Sequence, residues 1–282
     1  MLQEKLSRII EKKQSLLCVG LDPDIEKIPE FLRREANPLE TFNREIISAT
    51  ADFAAAFKPN IAFYESLGTT GWHLLEKTLE RIPPDVLTIA DAKRADIGNT
   101  SRKYAETFFQ TFQFDAITVS PYMGLDSILP FLEFKDRGVF ILCLTSNKGA
   151  RDFQYLETEG QPLYLHVAKK VVSWNQSYGN CGLVVGATHS GEINRIRQLA
   201  KELAFLIPGV GAQGGDLEKA VIYGTDEDGG MALFNVSRGI LYASPKKDFA
   251  IVANRKAREL RDQINTYRSI KNQKINRGFS HG

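Results

Sequence analysis

The chain has 282 residues, 43 % of them hydrophobic and 25 % charged, which is the composition of a soluble globular protein with enough apolar side chains for a sizeable core. No apolar run approaches the ~20 residues needed to span a bilayer, and the opening "MLQEKLSRIIEKKQ" reads as an amphipathic helix over about 1–14, not as a signal peptide. Formal net charge is +2, so the chain as a whole is not a polybasic nucleic-acid or membrane binder.

In chain order, short β-rich runs alternate with helical stretches. "SLLCVGLDPD" predicts a first strand, and helical spacing follows from Pro38 to Phe53. "AAFKPNIAFY" predicts the second strand, with a helix to about Arg81. "DVLTIADAK" is the third, with Gly98 to Phe112 helical. "DAITVSPYMG" is the fourth, with Leu125 to Asp136 helical. "VFILCLTSN" is the fifth, followed by a loop and the helix "PLYLHVAKKVVSWNQ". "CGLVVGATH" is the sixth, with Gly191 to Leu203 helical. "AFLIPGVGAQGG" is the seventh, with a helix from Asp216. "MALFNVSRGI" is the eighth, and a long helix closes the chain from about Pro245.

The segment from Asn254 to Gly282 holds eight Lys and Arg against Glu259 and Asp262, or +6, which leaves −4 on the body. A basic tail can touch nucleic acid, but no aromatic-rich basic motif accompanies this one. It is read as a solvated terminal helix that frays. Cys18, Cys143 and Cys181 are widely spaced, odd in number and set in apolar runs, so they read as reduced core thiols in a cytoplasmic protein.

Eight strands alternating with helices in a chain of this length point to an α/β fold, a (β/α)8 TIM barrel in one domain over 1–282. Near-continuous apolar runs such as "VFILCL" fit parallel strands covered on both faces. An open doubly wound sheet is the runner-up, but no GxGxxG opens a helix after the first strand.

A barrel's site lies at the C-terminal ends of its strands. Read in order, those ends carry Asp22, Lys58, Asp91 with Lys93, Thr145 with Ser146, Gln213, and Ser237 with Arg238. If strand pairing persists to Lys93, then Leu87, Ile89, Asp91 and Lys93 share one face, because side chains alternate with period two. Asp96 lies beyond that alternation. The glycine-rich "PGVGAQGGD" running into a helix, with Arg238 after strand eight, is the expected place for a phosphate. Asp22, Asp91 and Asp96 suggest magnesium only weakly, because the interleaved lysines compete with a cation. No cysteine–histidine cluster or HExxH motif marks a metal site. Of the histidines only His189, at the sixth strand end, falls near the rim, as a candidate ligand contact.

"DAKRADIGNT" closely resembles the signature of the orotidine 5′-phosphate decarboxylase family, Asp-x-Lys-x-x-Asp-Ile with a nearby Thr. "GLDPD", "FKPN", "TSN", "PGVGAQGGD" and "SRGI" follow in the family's order, and the seventh-strand motif is similar to that of its longer-chain bacterial branch.

The resemblance implies a carboxy-lyase that converts orotidine 5′-monophosphate to UMP and carbon dioxide in de novo pyrimidine synthesis, without metal or organic cofactor. It implies a homodimer with active sites shared across the interface, and no nucleic-acid or membrane partner. By motif match, Lys58, Asp91 and Lys93 form one subunit's charge array, and Asp96 completes the array of the opposite subunit, with Ile97 and Thr100 beside it. Asp22 and Lys58 hold ribose hydroxyls, Ser146 contacts the pyrimidine, and Gln213 and Arg238 hold the phosphate.

Loss of carbon dioxide leaves a C6 carbanion that the ring π system cannot delocalise. Lys93 is expected to stabilise that charge and then protonate C6, while Asp91 lies against the departing carboxylate. The loop after strand seven is compact, so "NKGARDFQYLETEGQ" after strand five is expected to share the lid role. Two other readings stay open. One is a metal-dependent phosphosugar synthase or lyase, such as a hexulose-phosphate synthase. The other is a non-catalytic phosphate- or nucleotide-binding barrel.

Overall fold

Eight short apolar strands pair side by side and in parallel until the last meets the first. In a computed structural model describing residues 2–188, 190–210 and 216–279, with side chains to 272, they form a closed barrel. The strands are β1 (Leu17–Leu21), β2 (Ala56–Pro59), β3 (Leu87–Arg94), β4 (Ala116–Val119), β5 (Gly138–Leu144), β6 (Cys181–Val185), β7 (Ala204–Pro208) and β8 (Ala232–Val236). Every residue of β1, β2, β4, β6 and β8 is buried, as parallel strands covered on both faces require. The barrel therefore replaces the open-sheet alternative, and β1 closes on β8 through Leu17–Phe234, Cys18–Asn235 and Val19–Val236.

The helices form the outer layer. They include α1 (Leu2–Lys13), α2 (Pro38–Thr50), α3 (Thr69–Glu80), α4 (Gly98–Glu106), α5 (Leu125–Leu132), α6 (Leu163–Tyr178), α7 (Ser190–Leu199), α8 (Leu217–Gly224) and α9 (Phe249–Phe279). In α1, Leu2, Leu6, Ile9 and Ile10 make one buried stripe at helical spacing. Lys5 pairs with Asp115 at the entry to β4, and the Gln3 amide donates to Cys181 O at the start of β6, so α1 covers the N-terminal end of the barrel. Leu6 is fully buried, and truncating such a leucine costs about 2–5 kcal/mol. Among the described residues, no helix is long and apolar enough to cross a membrane.

Three local expectations change. The second predicted strand stops at Pro59, and Ile61–Glu65 turn into a short helix, since proline cannot donate to a ladder. The β3–β4 ladder is regular only through Ile89–Ala116 and Ala90–Ile117; it then shifts register and resumes at Arg94–Val119. Lys93 falls inside that bulge with φ +48°, so strand alternation does not set its direction. Finally, the basic C-terminal helix is not simply solvated. Ala253, Ala257 and Ile264 of α9 are buried, Asn254 donates to Ala49 O of α2, and Arg268 and Lys271 donate to the carbonyls of Gly229 and Thr225.

Candidate active site

The C-terminal strand ends converge on a cavity of about 400 Å³. Its wall takes Asp22 from just past β1, Lys58 from β2, Asp91 and Lys93 from β3, Thr118 from β4, and Ser146 from just past β5. Ser237 and Arg238 complete it from just past β8, and Leu142, Val184 and Leu206 supply an apolar side. Two close backbone approaches shape it. A Cβ on Gly20 would fall 1.8 Å from the Ser237 hydroxyl, and one on Gly186 would fall 2.9 Å from the Ser146 nitrogen. Only glycine lets β1 and β6 sit against those strand ends.

Asp91 is the hub. Its Oδ2 accepts from Lys58 Nζ at 2.7 Å and its Oδ1 from Lys93 Nζ at 2.5 Å. The two lysines differ in setting: 4 % of the Lys58 side chain is exposed against 51 % for Lys93. Burial by itself would push the Asp91 carboxyl up, but the flanking Lys58 and Lys93 ammoniums outweigh it and hold the carboxyl well below the usual range. Burial would likewise push Lys58 down, yet Asp91 and Asp22 raise it above the ordinary lysine value. The charged forms therefore persist together. Cys18, in the same buried surroundings, has its thiol pushed up to about 12 by burial and donates to Asn235 Oδ1 at 3.5 Å.

The bulge that carries Lys93 is fastened at both ends. Asp91 makes an isolated parallel bridge with Asn60. Arg94 pairs with Glu65, with its guanidinium 5.2 Å from the Tyr104 ring centroid and 5.7 Å from that of Phe108. A non-glycine residue in the left-handed region costs on the order of 1–3 kcal/mol, so these contacts matter to where the Lys93 ammonium stands.

Asp22 and Arg238 are poised differently. The Asp22 Oδ1 is buried and has no hydrogen-bond partner among the described residues. The turn that carries it is held by Tyr242, whose hydroxyl donates to Asp22 O at 2.6 Å and accepts from Asp24 N–H at 2.9 Å. Arg238 is exposed at the rim and makes no ion pair among the described residues. Past β5, Gln154 clasps the strand end: its Oε1 accepts from Thr145 N–H and its Nε2 donates to Thr145 Oγ1, both at 2.8 Å. The loop 147–161 is thereby anchored beside Ser146, with a short helix at Ala150–Phe153 and a two-residue hairpin arm at Glu157–Thr158.

Of the residues singled out from sequence, Asp22, Lys58, Asp91, Lys93, Thr145, Ser146, Ser237 and Arg238 meet in this cavity. Asp96, Ile97 and Thr100 do not line it; they sit where β3 leads into α4, with Asp96 Oδ1 accepting from Ile97 N–H and Ile97 61 % exposed. Gln213 and His189 lie outside the described residues. The sequence reading missed Thr118, Asn60 and Asn235, all on the wall. The available signal was a polar residue inside an apolar strand, in "AITV" and "ALFNV".

A family model described as orotidine 5′-phosphate decarboxylase / HUMPS family matches residues 15–250. The chain is 51 % identical over 269 residues to the orotidine 5′-phosphate decarboxylase of Dehalococcoides mccartyi, covering 94 % of this chain and 97 % of that one. It is 49 % identical over 267 residues to the enzyme of the same name from Christiangramia forsetii, at 94 % and 97 % coverage. Among solved structures, the OMP decarboxylase of Leishmania donovani superimposes with a TM-score of 0.83 at 38 % identity, covering 93 % of this chain and 98 % of that one.

Proposed function

The chain belongs to the orotidine 5′-phosphate decarboxylase family, and from that premise we propose how its cavity removes carbon dioxide from orotidine 5′-monophosphate to give UMP. The activity is that of a carboxy-lyase of pyrimidine biosynthesis. The mechanism is direct loss of CO2 from C6, followed by protonation of the resulting carbanion by Lys93. The observation that carries this reading is the Asp91 carboxylate held between two ammonium groups on the cavity wall.

The chemistry follows from placement of charge. As the C6–CO2 bond breaks, its electron pair stays on C6. The Lys93 ammonium stabilises that pair and then delivers a proton to it, which leaves neutral Lys93 to be reprotonated from water. Lys58 and Asp91 keep the ammonium in place, and apolar Leu142, Val184 and Leu206 lower the local dielectric, so each charge acts more strongly than in water. Asp91 faces the substrate carboxylate, whose negative charge lessens as CO2 departs.

Substrate binding uses the rest of the rim. The unpartnered Asp22 oxygen supports acceptance from a ribose hydroxyl, with Lys58 beside it. Ser146 reads the pyrimidine. The exposed guanidinium of Arg238, without an ion pair among the described residues, supports phosphate binding by paired charge-assisted bonds, with Gln213 as its partner. Binding energy gathered at the phosphate helps order a site whose chemistry lies at the far end of the nucleotide.

The active unit is a homodimer. Asp96, Ile97 and Thr100 stand away from their own cavity, and the exposure of Ile97 favours their entering the cavity of a second copy. There Asp96 of the partner subunit adds the second carboxylate to the array. Buried, free Cys18, Cys143 and Cys181 favour the reducing cytoplasm.

Purified protein with excess EDTA should convert orotidine 5′-monophosphate completely, followed by ultraviolet absorbance. No conversion, or conversion that requires a divalent ion, would remove this reading in favour of a metal-dependent enzyme on the same barrel.

A further inference from the structure

Thr118 sits on β4 beneath the Asp91–Lys93 segment and is 1 % exposed. A threonine hydroxyl offers one hydrogen and two lone pairs, and here all three are used. Thr118 Oγ1 accepts from the N–H of Ala92 at 3.1 Å and from the N–H of Lys93 at 3.0 Å, and it donates to Asp91 Oδ1 at 3.2 Å. Those two N–H groups lie in the bulge where β3 loses register with β4, and the second belongs to the residue whose backbone turns left-handed. The side chain thus replaces the missing ladder partner and touches the carboxylate that orients both lysines.

We propose that Thr118 is a positioning residue for the decarboxylation, its one hydroxyl fixing the Lys93 bulge and the rotation of the Asp91 carboxylate together. This rests on the reading of Asp91 and Lys93 as the reacting pair. The rotation matters because the two oxygens have different duties: Oδ2 serves Lys58, and Oδ1 serves Lys93 and Thr118. Valine has nearly the same shape and none of the three bonds. It leaves two backbone donors without a partner and the carboxylate free to turn, so the ammonium loses its line to C6. Serine keeps the hydroxyl and only drops the methyl group.

The test compares Thr118→Val, Thr118→Ser and Lys93→Ala with the unmodified dimer. Steady-state kcat and KM for orotidine 5′-monophosphate are measured, with UMP affinity by calorimetry and thermal stability as controls. Thr118→Val should lower kcat by about 10- to 100-fold, the loss a misplacement near 1 Å brings. Its KM and UMP affinity should stay within about 3-fold, because Thr118 has no hydrogen bond to Asp22 or Arg238, which are read as the ribose and phosphate contacts. Thr118→Ser should stay within about 3-fold in every parameter. If the valine variant does not fold, Thr118→Ala replaces it with the same expected split. Unchanged kcat in Thr118→Val, equal losses in the serine and valine variants, or a change confined to KM would each overturn the proposal. Turnover that survives Lys93→Ala would instead overturn the reading beneath it, so the two failures are distinct.

Discussion

Lys58 Nζ stands 2.7 Å from Asp91 Oδ2 with 4 % of the lysine side chain exposed. Two charges so placed have given up most of their hydration, and they remain charged because each is the other's nearest compensation. Lys93 and Thr118 complete the set around the same carboxylate. The arrangement stabilises the chain only as a whole, and it keeps an ammonium group aimed into a cavity that is otherwise partly apolar.

Removing one member should therefore cost more than the pair is worth. Asp91→Ala leaves the Lys58 ammonium buried without its partner, a loss of about 3–5 kcal/mol by the general cost of breaking a buried pair. Adding Lys58→Met should recover most of that stability without recovering activity. Equilibrium urea denaturation of the single and double variants measures both, provided each unfolds in one cooperative step.

The same carboxylate sets an acid-side signature. Its folded-state pKa is depressed relative to an unfolded value near about 4. Its contribution is thus fully present above that value and is lost as pH falls toward the folded-state pKa. Lys58 is shifted the other way, above the ordinary lysine value, so it adds no slope between neutrality and pH 4. The difference in melting temperature between the unmodified protein and Asp91→Asn should be constant from about pH 8 to 5 and shrink below about pH 4. Thermal melts across that range check it.

At the rim, Arg238→Ala should raise KM about 10- to 100-fold, the value of one or two hydrogen bonds to a charged group. The effect should vanish for orotidine, which lacks the phosphate. Steady-state kinetics with both substrates separate phosphate recognition from general damage to the site.

What the sequence disclosed and what it hid have physical causes. Strand and helix periods repeat over many residues, so the barrel and most of the rim, Asp22, Lys58, Asp91, Ser146 and Arg238, were legible from spacing alone. Lys93 lines the cavity, but period-two alternation does not bring it there. Alternation along β3 ends at the bulge, and a left-handed residue held by Thr118 redirects the chain. Thr118 was invisible because one threonine in an apolar strand looks like a β-former. The packing of α9 was masked by its charge: Ala253, Ala257 and Ile264 are a thin apolar stripe among many basic residues.

The proposal that Asp96 serves the site of a second copy has a complementation test. Lys93→Ala and Asp96→Ala should each be inactive as homodimers. Mixed through a dissociation and reassociation step, they should form hybrid dimers in which one site carries both changes and the other carries neither. About a quarter of the sites are then intact, and activity should return toward that level. Persistent inactivity of verified hybrids would place Asp96 in its own subunit's site.

Proton transfer between Lys93 and C6, as proposed, can be read without decarboxylation. In D2O, the protein should exchange the C6 hydrogen of UMP for deuterium, observed by proton NMR, and Lys93→Ala should lose that exchange while still binding UMP. Exchange at an unchanged rate in Lys93→Ala would exclude Lys93 as the proton donor.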